Sequence, residues 1–146
     1  MDKPPLRALV VDDEPLATER LQLLLARVGG VDLVGTASDG EAACRMAEAL
    51  TPDLLLLDIA MPGMDGMDVA RSLARSGDGP AVIFVTAFDQ FAVAAFEVEA
   101  VDYLVKPVDP ARLERALDRA RHHLERRSVQ DRVAPAGRYL DEFWAS

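Results

Sequence analysis

The chain has 146 residues, of which 50% are hydrophobic and 28% charged, a balance typical of one globular domain rather than of a disordered or fibrous chain. Its 25 acidic and 16 basic residues give a net charge of −9, which opposes sequence-independent binding to nucleic acid. Neither a membrane-spanning apolar run nor a signal peptide is evident, so we expect a cytoplasmic protein, and a single cysteine, Cys44, excludes an intrachain disulfide and a thiolate metal cluster.

Short apolar segments alternate with amphipathic ones from Leu6 to about Arg127, which predicts five β/α units around a parallel sheet. The predicted strands are Leu6–Val11, Val31–Ala37, Leu54–Leu57, Ala81–Val85 and Asp102–Val105. Several are nearly continuous in Leu, Val and Ile, as expected of strands that helices cover on both faces. The predicted fold class is α/β, with a five-stranded sheet in the flavodoxin-like order 2-1-3-4-5.

Five helices are predicted between and after these strands, and two of them have clear start signals. Helix 1 begins at Pro15, whose fixed φ suits a first helical position, and ends at Gly29-Gly30. Helix 5 begins after the N-cap candidate Asp109, and its apolar residues then recur at helical spacing. The other predicted ranges are 40–50 for helix 2, 67–75 for helix 3 and 89–97 for helix 4.

After helix 5 the sequence reads SVQDRVAPAGRYLDEFWAS, and its proline and glycine predict a break in the helix and a linker. An aromatic cluster near the end, formed by Tyr139, Phe143 and Trp144, suggests the first residues of another domain. The alternative is a tail that packs back on the first domain. We therefore expect one domain over residues 1–127 and, over residues 128–146, a linker with the start of a further C-terminal domain.

Polar residues stand at the ends of four predicted strands: Asp12 and Asp13, then Asp58, Thr86 and Lys106. The carboxyl ends of parallel strands share one edge of a sheet, and neighbouring strands lie about 4.8 Å apart. Asp12, Asp13 and Asp58 are therefore expected to surround one small cation. Hard oxygen ligands without His or Cys favour Mg²⁺ or Mn²⁺, and a lysine with a threonine hydroxyl suits the oxygens of a phosphoryl group.

Each of these residues also has a structural explanation when it is taken singly. The acidic residues after strand 1 would favour the N-terminus of helix 1, and Lys106-Pro107 would form a turn. Such explanations do not account for polar residues at four strand ends. Elsewhere, we expect Met61, Met64 and Met67 to pack beneath the loop after strand 3.

The segment from Leu6 to about Arg127 resembles the response-regulator receiver domains of two-component signalling. The matching motifs are VVDDEP with Asp12 and Asp13, LLLLDIAMPGMDG with Asp58, VTA with Thr86, and DYLVKP with Tyr103 and Lys106. The stretch TAFDQFAVAAFEVEAVDYLVKPV further resembles regulators of the LytR/AlgR type, in which a LytTR DNA-binding domain follows the receiver. In such a protein, DNA would be bound only through that C-terminal domain.

The resemblance implies that Asp58 accepts a phosphoryl group from the phosphohistidine of a sensor histidine kinase, or from a small phosphodonor. Mg²⁺ would be held by Asp13, Asp58 and the backbone carbonyl of Ala60, with Asp12 acting through water. The groups implied to contact the phosphate oxygens are Lys106, Thr86 and the backbone N–H groups of Ile59 and Ala87. The Lys106-Pro107 peptide bond would be cis.

The resemblance also implies a switch pair, Thr86 and Tyr103, in which Tyr103 turns inward when the phosphoryl group draws the Thr86 hydroxyl toward it. The face made by helix 4, strand 5 and helix 5 would then change, and we expect the phosphorylated form to dimerise through it. Arginines of helix 5 would meet acidic residues of the second copy, namely Glu97, Glu99 or Asp102. The alternatives are an ordinary core tyrosine and a solvated charged helix.

Helix 5 also carries His122 and His123 near its predicted end, where the helix dipole would favour protonated imidazoles.

Two positions depart from the receiver pattern. The residues two after the phosphoacceptor and two after the threonine are polar in many receivers, but here they are Ala60 and Phe88. Neither side chain can orient water, so we expect slow self-dephosphorylation. Ala60 also disfavours the main enzymatic alternative, a haloacid-dehalogenase-type phosphatase, which needs a second Asp at that position. A stand-alone receiver that acts by protein binding is a further alternative.

Overall fold

The computed structural model describes residues 4–74 and 79–145, with side chains as far as residue 128. Its strands are β1 (Leu6–Val11), β2 (Val31–Ala37), β3 (Leu54–Leu57), β4 (Ala81–Thr86) and β5 (Asp102–Val105). They form one parallel sheet in the order β2-β1-β3-β4-β5. The predicted fold class and strand order are therefore confirmed, and β4 is one residue longer than predicted.

The helices are α1 (Pro15–Val28), α2 (Gly40–Leu50), α3 (Gly66–Ala74), α4 (Ala92–Glu97) and α5 (Pro110–Ala145). Pro15 occupies the first turn of α1, as predicted. The Asp39 carboxylate accepts the N–H of Ala42 at 2.7 Å and caps α2, and Asp109 accepts the N–H of Arg112 at 3.2 Å at the start of α5. Helix α4 begins three residues later than predicted, because residues 89–91 form a bend and a turn.

Helix α5 continues to Ala145, whereas the sequence predicted a break after residue 127. A break was expected because proline lacks an N–H donor and glycine is a poor helix former. The residues before Pro135 nevertheless include Leu, Glu, Arg and Gln, whose high helix propensity favours continuation of the helix. The side chains of Tyr139, Phe143 and Trp144 lie outside those that the structure describes. The assignment of residues 128–146 to a linker and the start of another domain therefore stays a prediction.

The sheet separates two hydrophobic clusters because successive side chains of a strand point to opposite faces. Val10 and Leu56 lie on the side that packs against α1 and α5, and Leu9, Leu57 and Phe84 lie on the side of α2 and α3. Three methionines pack in or against the second cluster, as predicted: Met61, Met64 and Met67. Among the described residues, none of the helices combines the length and the apolar character needed to span a bilayer.

Candidate functional site

Three carboxylates converge at the carboxyl edge of the sheet, as the sequence predicted, and we call them the acid pocket: Asp12, Asp13 and Asp58. One oxygen from each lies within 4.8 Å of the other two. Asp12 and Asp58 are buried, with 7% and 6% of their surface exposed, whereas Asp13 is more open to solvent. They meet because β1 and β3 are hydrogen-bonded neighbours and the N–H of Asp58 donates to the carbonyl of Val11 at 2.9 Å.

Lys106 reaches the acid pocket from the end of β5. Its Nζ lies 2.7 Å from Oδ2 of Asp12 and 3.2 Å from Oδ2 of Asp58. Burial of the ammonium group lowers its pKa, but the hydrogen bonds and negative charges of Asp12 and Asp58 outweigh burial, so the pKa of Lys106 is raised. One lysine against three carboxylates leaves a surplus of negative charge, and this hard oxygen set fits Mg²⁺.

Backbone groups fix the orientation of the two buried carboxylates. The N–H of Glu14 donates to Oδ1 of Asp12 at 2.9 Å, and the N–H of Ala60 donates to Oδ1 of Asp58 at 3.3 Å. In both residues the second oxygen contacts Lys106. The local turns after β1 and β3 therefore hold the carboxylates toward the same point.

Thr86 and Tyr103 are linked through one loop. Thr86 is fully buried at the end of β4, and its hydroxyl oxygen lies 3.5 Å from the N–H of Phe88. The Tyr103 hydroxyl donates a hydrogen bond to the carbonyl of Phe88. Burial, together with the negative charges of Asp89 and Asp58, raises the pKa of Tyr103, so its hydroxyl stays protonated. The sequence did not indicate this acceptor, because a backbone carbonyl is present at every position.

The predicted backbone ligands belong to the residues that directly follow Asp58 and Thr86. Ile59 and Ala60 directly follow Asp58, and Ala87 directly follows Thr86, at the carboxyl edge of the sheet. The carbonyl of Ile59 accepts the N–H groups of Met61 and Gly66, each at 3.0 Å. Their roles toward Mg²⁺ and phosphate stay predictions. The Lys106-Pro107 bond is cis, as the resemblance implied.

A third buried carboxylate, that of Asp102, lies at the start of β5, outside the acid pocket, and is paired within its own chain. Its side chain is 6% exposed, and it accepts two hydrogen bonds from Arg112, at 2.7 and 2.9 Å, and one from Arg119 at 3.2 Å. Burial raises its pKa, but Arg112, the Tyr103 N–H and Arg119 together outweigh burial and lower it. The sequence proposed Asp102 as a partner for arginines of a second copy. Within the chain, α5 supplies Arg112 and Arg119 as its partners, and the pairing with a second copy stays a prediction.

A cleft of about 810 Å³ separates the end of α4 from α5, with acidic residues on one wall and basic residues on the other. It is lined by Phe96, Glu97, Glu99, Arg119, His123 and Arg126, among others. Burial and the charges of Arg127 and Arg126 lower the pKa of His123, against a smaller opposite effect of Glu99. Helix α5 continues past His123, so the helix dipole does not favour a protonated imidazole there, contrary to the expectation from the sequence.

A groove that the sequence did not single out lies between α1 and the segment after β5. It measures about 520 Å³ and extends from Leu16 and Leu23 to Pro107, Asp12 and Lys106. Leu16 and Leu23 are 69% and 66% exposed. The sequence did contain an indication of this groove, because α1 carries five leucines, at positions 16, 21, 23, 24 and 25, more than one buried helix face needs. In the structure only Leu21 and Leu25 are buried.

The model of the response regulator receiver domain family matches residues 8–118. The chain belongs to this family. The match contains every predicted site residue, from Asp12 to Lys106, and ends within α5. Receiver domains are in general phosphoacceptor switches rather than enzymes.

Two relatives are regulatory proteins. The chain is 50% identical over 116 residues to the positive alginate biosynthesis regulatory protein of Pseudomonas aeruginosa, which covers 79% of this chain and 47% of that protein. It is 42% identical over 126 residues to the transcriptional regulatory protein BtsR of Escherichia coli, which covers 86% of this chain and 51% of BtsR. The chain thus spans about half the length of the curated relatives it matches.

Solved structures share the same fold. The response regulatory domain of protein mrkE from Klebsiella pneumoniae has a TM-score of 0.76 at 30% identity and covers 83% of this chain and 99% of that chain. A chain of the CheX–CheY–BeF3–Mg²⁺ complex from Borrelia burgdorferi has a TM-score of 0.71 at 27% identity. The alignment covers 77% of this chain and 87% of that chain. These similarities agree with the observed five-stranded parallel sheet.

Proposed function

We propose that this chain is a Mg²⁺-dependent phosphoacceptor switch, in which Asp58 receives a phosphoryl group from the phosphohistidine of a sensor histidine kinase. The acid pocket carries this proposal: three carboxylate oxygens lie within 4.8 Å of one another, and one lysine contacts two of the residues. Uncompensated charge at buried positions is costly, so such a site is favoured where a divalent cation binds. Membership of the receiver family supports the same role.

In the proposed transfer, one carboxylate oxygen of Asp58 attacks the phosphorus of the phosphohistidine. An O–P bond forms while the P–N bond breaks, and the electron pair of the broken bond returns to the imidazole nitrogen of the kinase, which takes up a proton. The product is an acyl phosphate on Asp58. Because a carboxylate is a weak nucleophile, the rate depends on charge and alignment at the transferring group.

The chain's own residues supply that alignment. The Ala60 N–H holds Oδ1 of Asp58, so the nucleophile has a fixed orientation. Lys106 already contacts Oδ2 of Asp58, and it would move to an oxygen of the arriving phosphoryl group. The Thr86 hydroxyl and the backbone N–H groups of Ile59 and Ala87 would donate to the remaining oxygens.

Asp13, Asp58 and the Ala60 carbonyl would hold Mg²⁺ directly, with Asp12 acting through water, and Mn²⁺ could take the same place. The ion, when bound, neutralises charge on the phosphoryl oxygens. The similar CheX–CheY complex of Borrelia burgdorferi contains Mg²⁺ and BeF3, which supports this choice of cation.

The switch would pass through Thr86 and Tyr103. The Tyr103 hydroxyl is bonded to the carbonyl of Phe88, two residues after Thr86. A Thr86 hydroxyl drawn toward the phosphoryl group would shift this loop and therefore the partner that holds Tyr103. The face of α4, β5 and α5 would change with it, and we propose that the phosphorylated chain dimerises through this face.

The groove beside α1 is the surface through which we propose that the kinase binds. Leu16 and Leu23 expose apolar surface, while the other end of the groove reaches Asp12 and Lys106. A helix of the kinase that packs its apolar side on these leucines would bring its phosphohistidine to the acid pocket. Arg20 and Arg27 line the same groove and would favour acidic residues on that helix.

The output is proposed to be transcription regulation in the cytoplasm, through a LytTR-type DNA-binding domain that follows this receiver. The regulatory relatives support this proposal, since they are about twice as long as the aligned part. The stand-alone receiver is the alternative, and the coding sequence after Ser146 separates the two.

The test is labelling with acetyl phosphate in the presence of Mg²⁺, followed by mapping of the modified residue. We expect about one phosphoryl group per chain on Asp58, lost in EDTA and in Asp58→Asn. The variant Asp102→Asn is the matched control, because it removes a buried carboxylate outside the acid pocket and should keep the label. A label on another residue contradicts the proposal, and repeated turnover of a phosphomonoester would favour the phosphatase instead.

A further inference from the structure

Gly66 begins α3 and lies against the backbone of Asp58. A Cβ atom on Gly66 would lie 2.2 Å from the Asp58 carbonyl oxygen and 2.8 Å from the Cα of Ile59, whereas real Cβ atoms essentially never come closer than 3.0 Å. Both neighbours are backbone atoms, so no flexible side chain can move aside. Gly66 is not among the glycines with positive φ, so the close approach, not an unusual conformation, requires glycine.

A hydrogen bond joins Gly66 to the same segment. Its N–H donates to the carbonyl of Ile59 at 3.0 Å, and the next N–H in that segment, of Ala60, donates to Oδ1 of Asp58. The start of α3 is therefore bonded to the residue between Asp58 and Ala60, directly beside three groups: the Asp58 carboxylate, the Ile59 N–H and the Ala60 carbonyl. Under the proposed function these are the nucleophile, a phosphate donor and a metal ligand.

We propose that Gly66 is a positioning residue for phosphoryl transfer, an inference that rests on the proposed function of Asp58. Any side chain at this position must separate α3 from the Asp58 backbone by about 0.8 Å before the Cβ contact reaches 3.0 Å. Catalytic groups need to be held within about 0.5 Å of their working positions, and a misplacement of about 1 Å costs on the order of 10²-fold in rate.

Gly40 provides a matched comparison. It is buried, begins α2 and has no positive φ, and a Cβ there would lie 2.5 Å from the carbonyl oxygen of Met64. Met64 belongs to the same loop as Asp58, but it lies six residues further along the chain. Substitution at Gly40 therefore introduces similar strain in the same loop without pushing on the Asp58 backbone.

The experiment compares Gly66→Ala with Gly40→Ala and the parent. Circular dichroism and urea unfolding give the folded fraction, calorimetry gives the Mg²⁺ affinity, and acetyl phosphate gives the labelling rate. Both variants should lose stability. Per folded molecule, Gly66→Ala should bind Mg²⁺ about tenfold more weakly and take label about 10- to 100-fold more slowly, while Gly40→Ala should stay within about threefold of the parent.

Equal Mg²⁺ affinities and labelling rates for the two folded variants would overturn the positioning role. If Gly66→Ala is largely unfolded in buffer, the measurements are repeated in sucrose, which favours the compact state, with the same expectation. A parent that takes no label on Asp58 sinks the proposed function instead. The Mg²⁺ titration then still decides whether Gly66 positions the Ala60 carbonyl.

Discussion

Two clusters of buried charge lie at opposite edges of the parallel sheet, and they differ in how the charge of their carboxylates is matched. Asp58 and Asp102 have almost equally buried side chains, 7% and 6% exposed. Around Asp58, one lysine faces three carboxylates, whereas Asp102 alone faces two arginines. The first cluster has a surplus of negative charge, which is compatible with a bound cation, whereas in the second the carboxylate is fully paired and joins α5 to β5. Burial of an acidic residue therefore indicates function only when its charge is not already matched.

Lys106→Met should have the largest effect. Removal of the ammonium group that contacts Asp12 and Asp58 takes away a group that would stabilise charge on the transferring phosphoryl group, so the labelling rate of Asp58 should fall about 10²-fold. The control is Arg121→Met, which removes a cation that bonds the Gly30 carbonyl at the opposite edge of the sheet. A Lys106→Met protein labelled as fast as Arg121→Met would show that the lysine has no such role.

Mg²⁺ should stabilise the fold through the acid pocket alone. At about 100 times its dissociation constant, a ligand that binds only the folded state adds about 2.7 kcal/mol to the free energy of unfolding. Urea titrations with Mg²⁺ and with EDTA should show this gain in the parent and in Asp102→Asn. In Asp58→Asn, which lacks the proposed carboxylate ligand, most of the gain should disappear, and a full gain there would place the ion elsewhere.

Asp102→Asn should cost stability without affecting chemistry. It removes the charge that Arg112 and Arg119 contact, and hydrogen bonds to charged groups are worth about 2 kcal/mol. We expect a loss of about that size in the urea unfolding of the variant, with a labelling rate within about twofold of the parent. A large loss of label would mean that the two clusters are coupled.

The two clusters should act at opposite ends of the pH range. The pKa of Asp102 is lowered on folding, so its contribution is present above about pH 3.9 and is lost as pH falls through the folded value. The pKa of Lys106 is raised, so its contribution is present below about pH 10.4 and is lost as pH rises through the folded value. Urea midpoints measured against pH should show a smaller acid slope in Asp102→Asn and a smaller alkaline slope in Lys106→Met than in the parent, and unchanged slopes would contradict this assignment.

The smallest predicted effect concerns the lifetime of the acyl phosphate. Phe88 is 42% exposed and its ring contacts Phe91, with centroids 6.2 Å apart, so it offers no group that orients water. Phe88→Glu should release phosphate several-fold faster than the parent, because a carboxylate can position the attacking water. Phe88→Leu is the apolar control. Equal rates of phosphate release from the two phosphorylated variants would show that residue 88 does not control the lifetime of the acyl phosphate.

The sequence predicted the sheet and the acid pocket because both follow from periodic or strand-end signals. The polar residues at the ends of four strands had to meet once the strands were parallel. The partners of Asp102 could not be predicted, since nothing in the sequence separates an arginine of the same chain from one of a second copy. The full length of α5 was also missed, because proline and glycine disfavour a helix locally but do not forbid it.

The salt bridge between Lys106 and Asp12 joins residues 94 positions apart, and this distance has a consequence for how the protein folds. A contact between distant residues costs more loop-closure entropy than a local one, and this salt bridge needs both strand ends in place. A nascent chain therefore has no acid pocket with its lysine until β5 has docked beside β4. Under the proposed function, a chain in which β5 has not docked therefore lacks the lysine that phosphoryl transfer needs, so the carboxylates of β1 and β3 alone would not make it active.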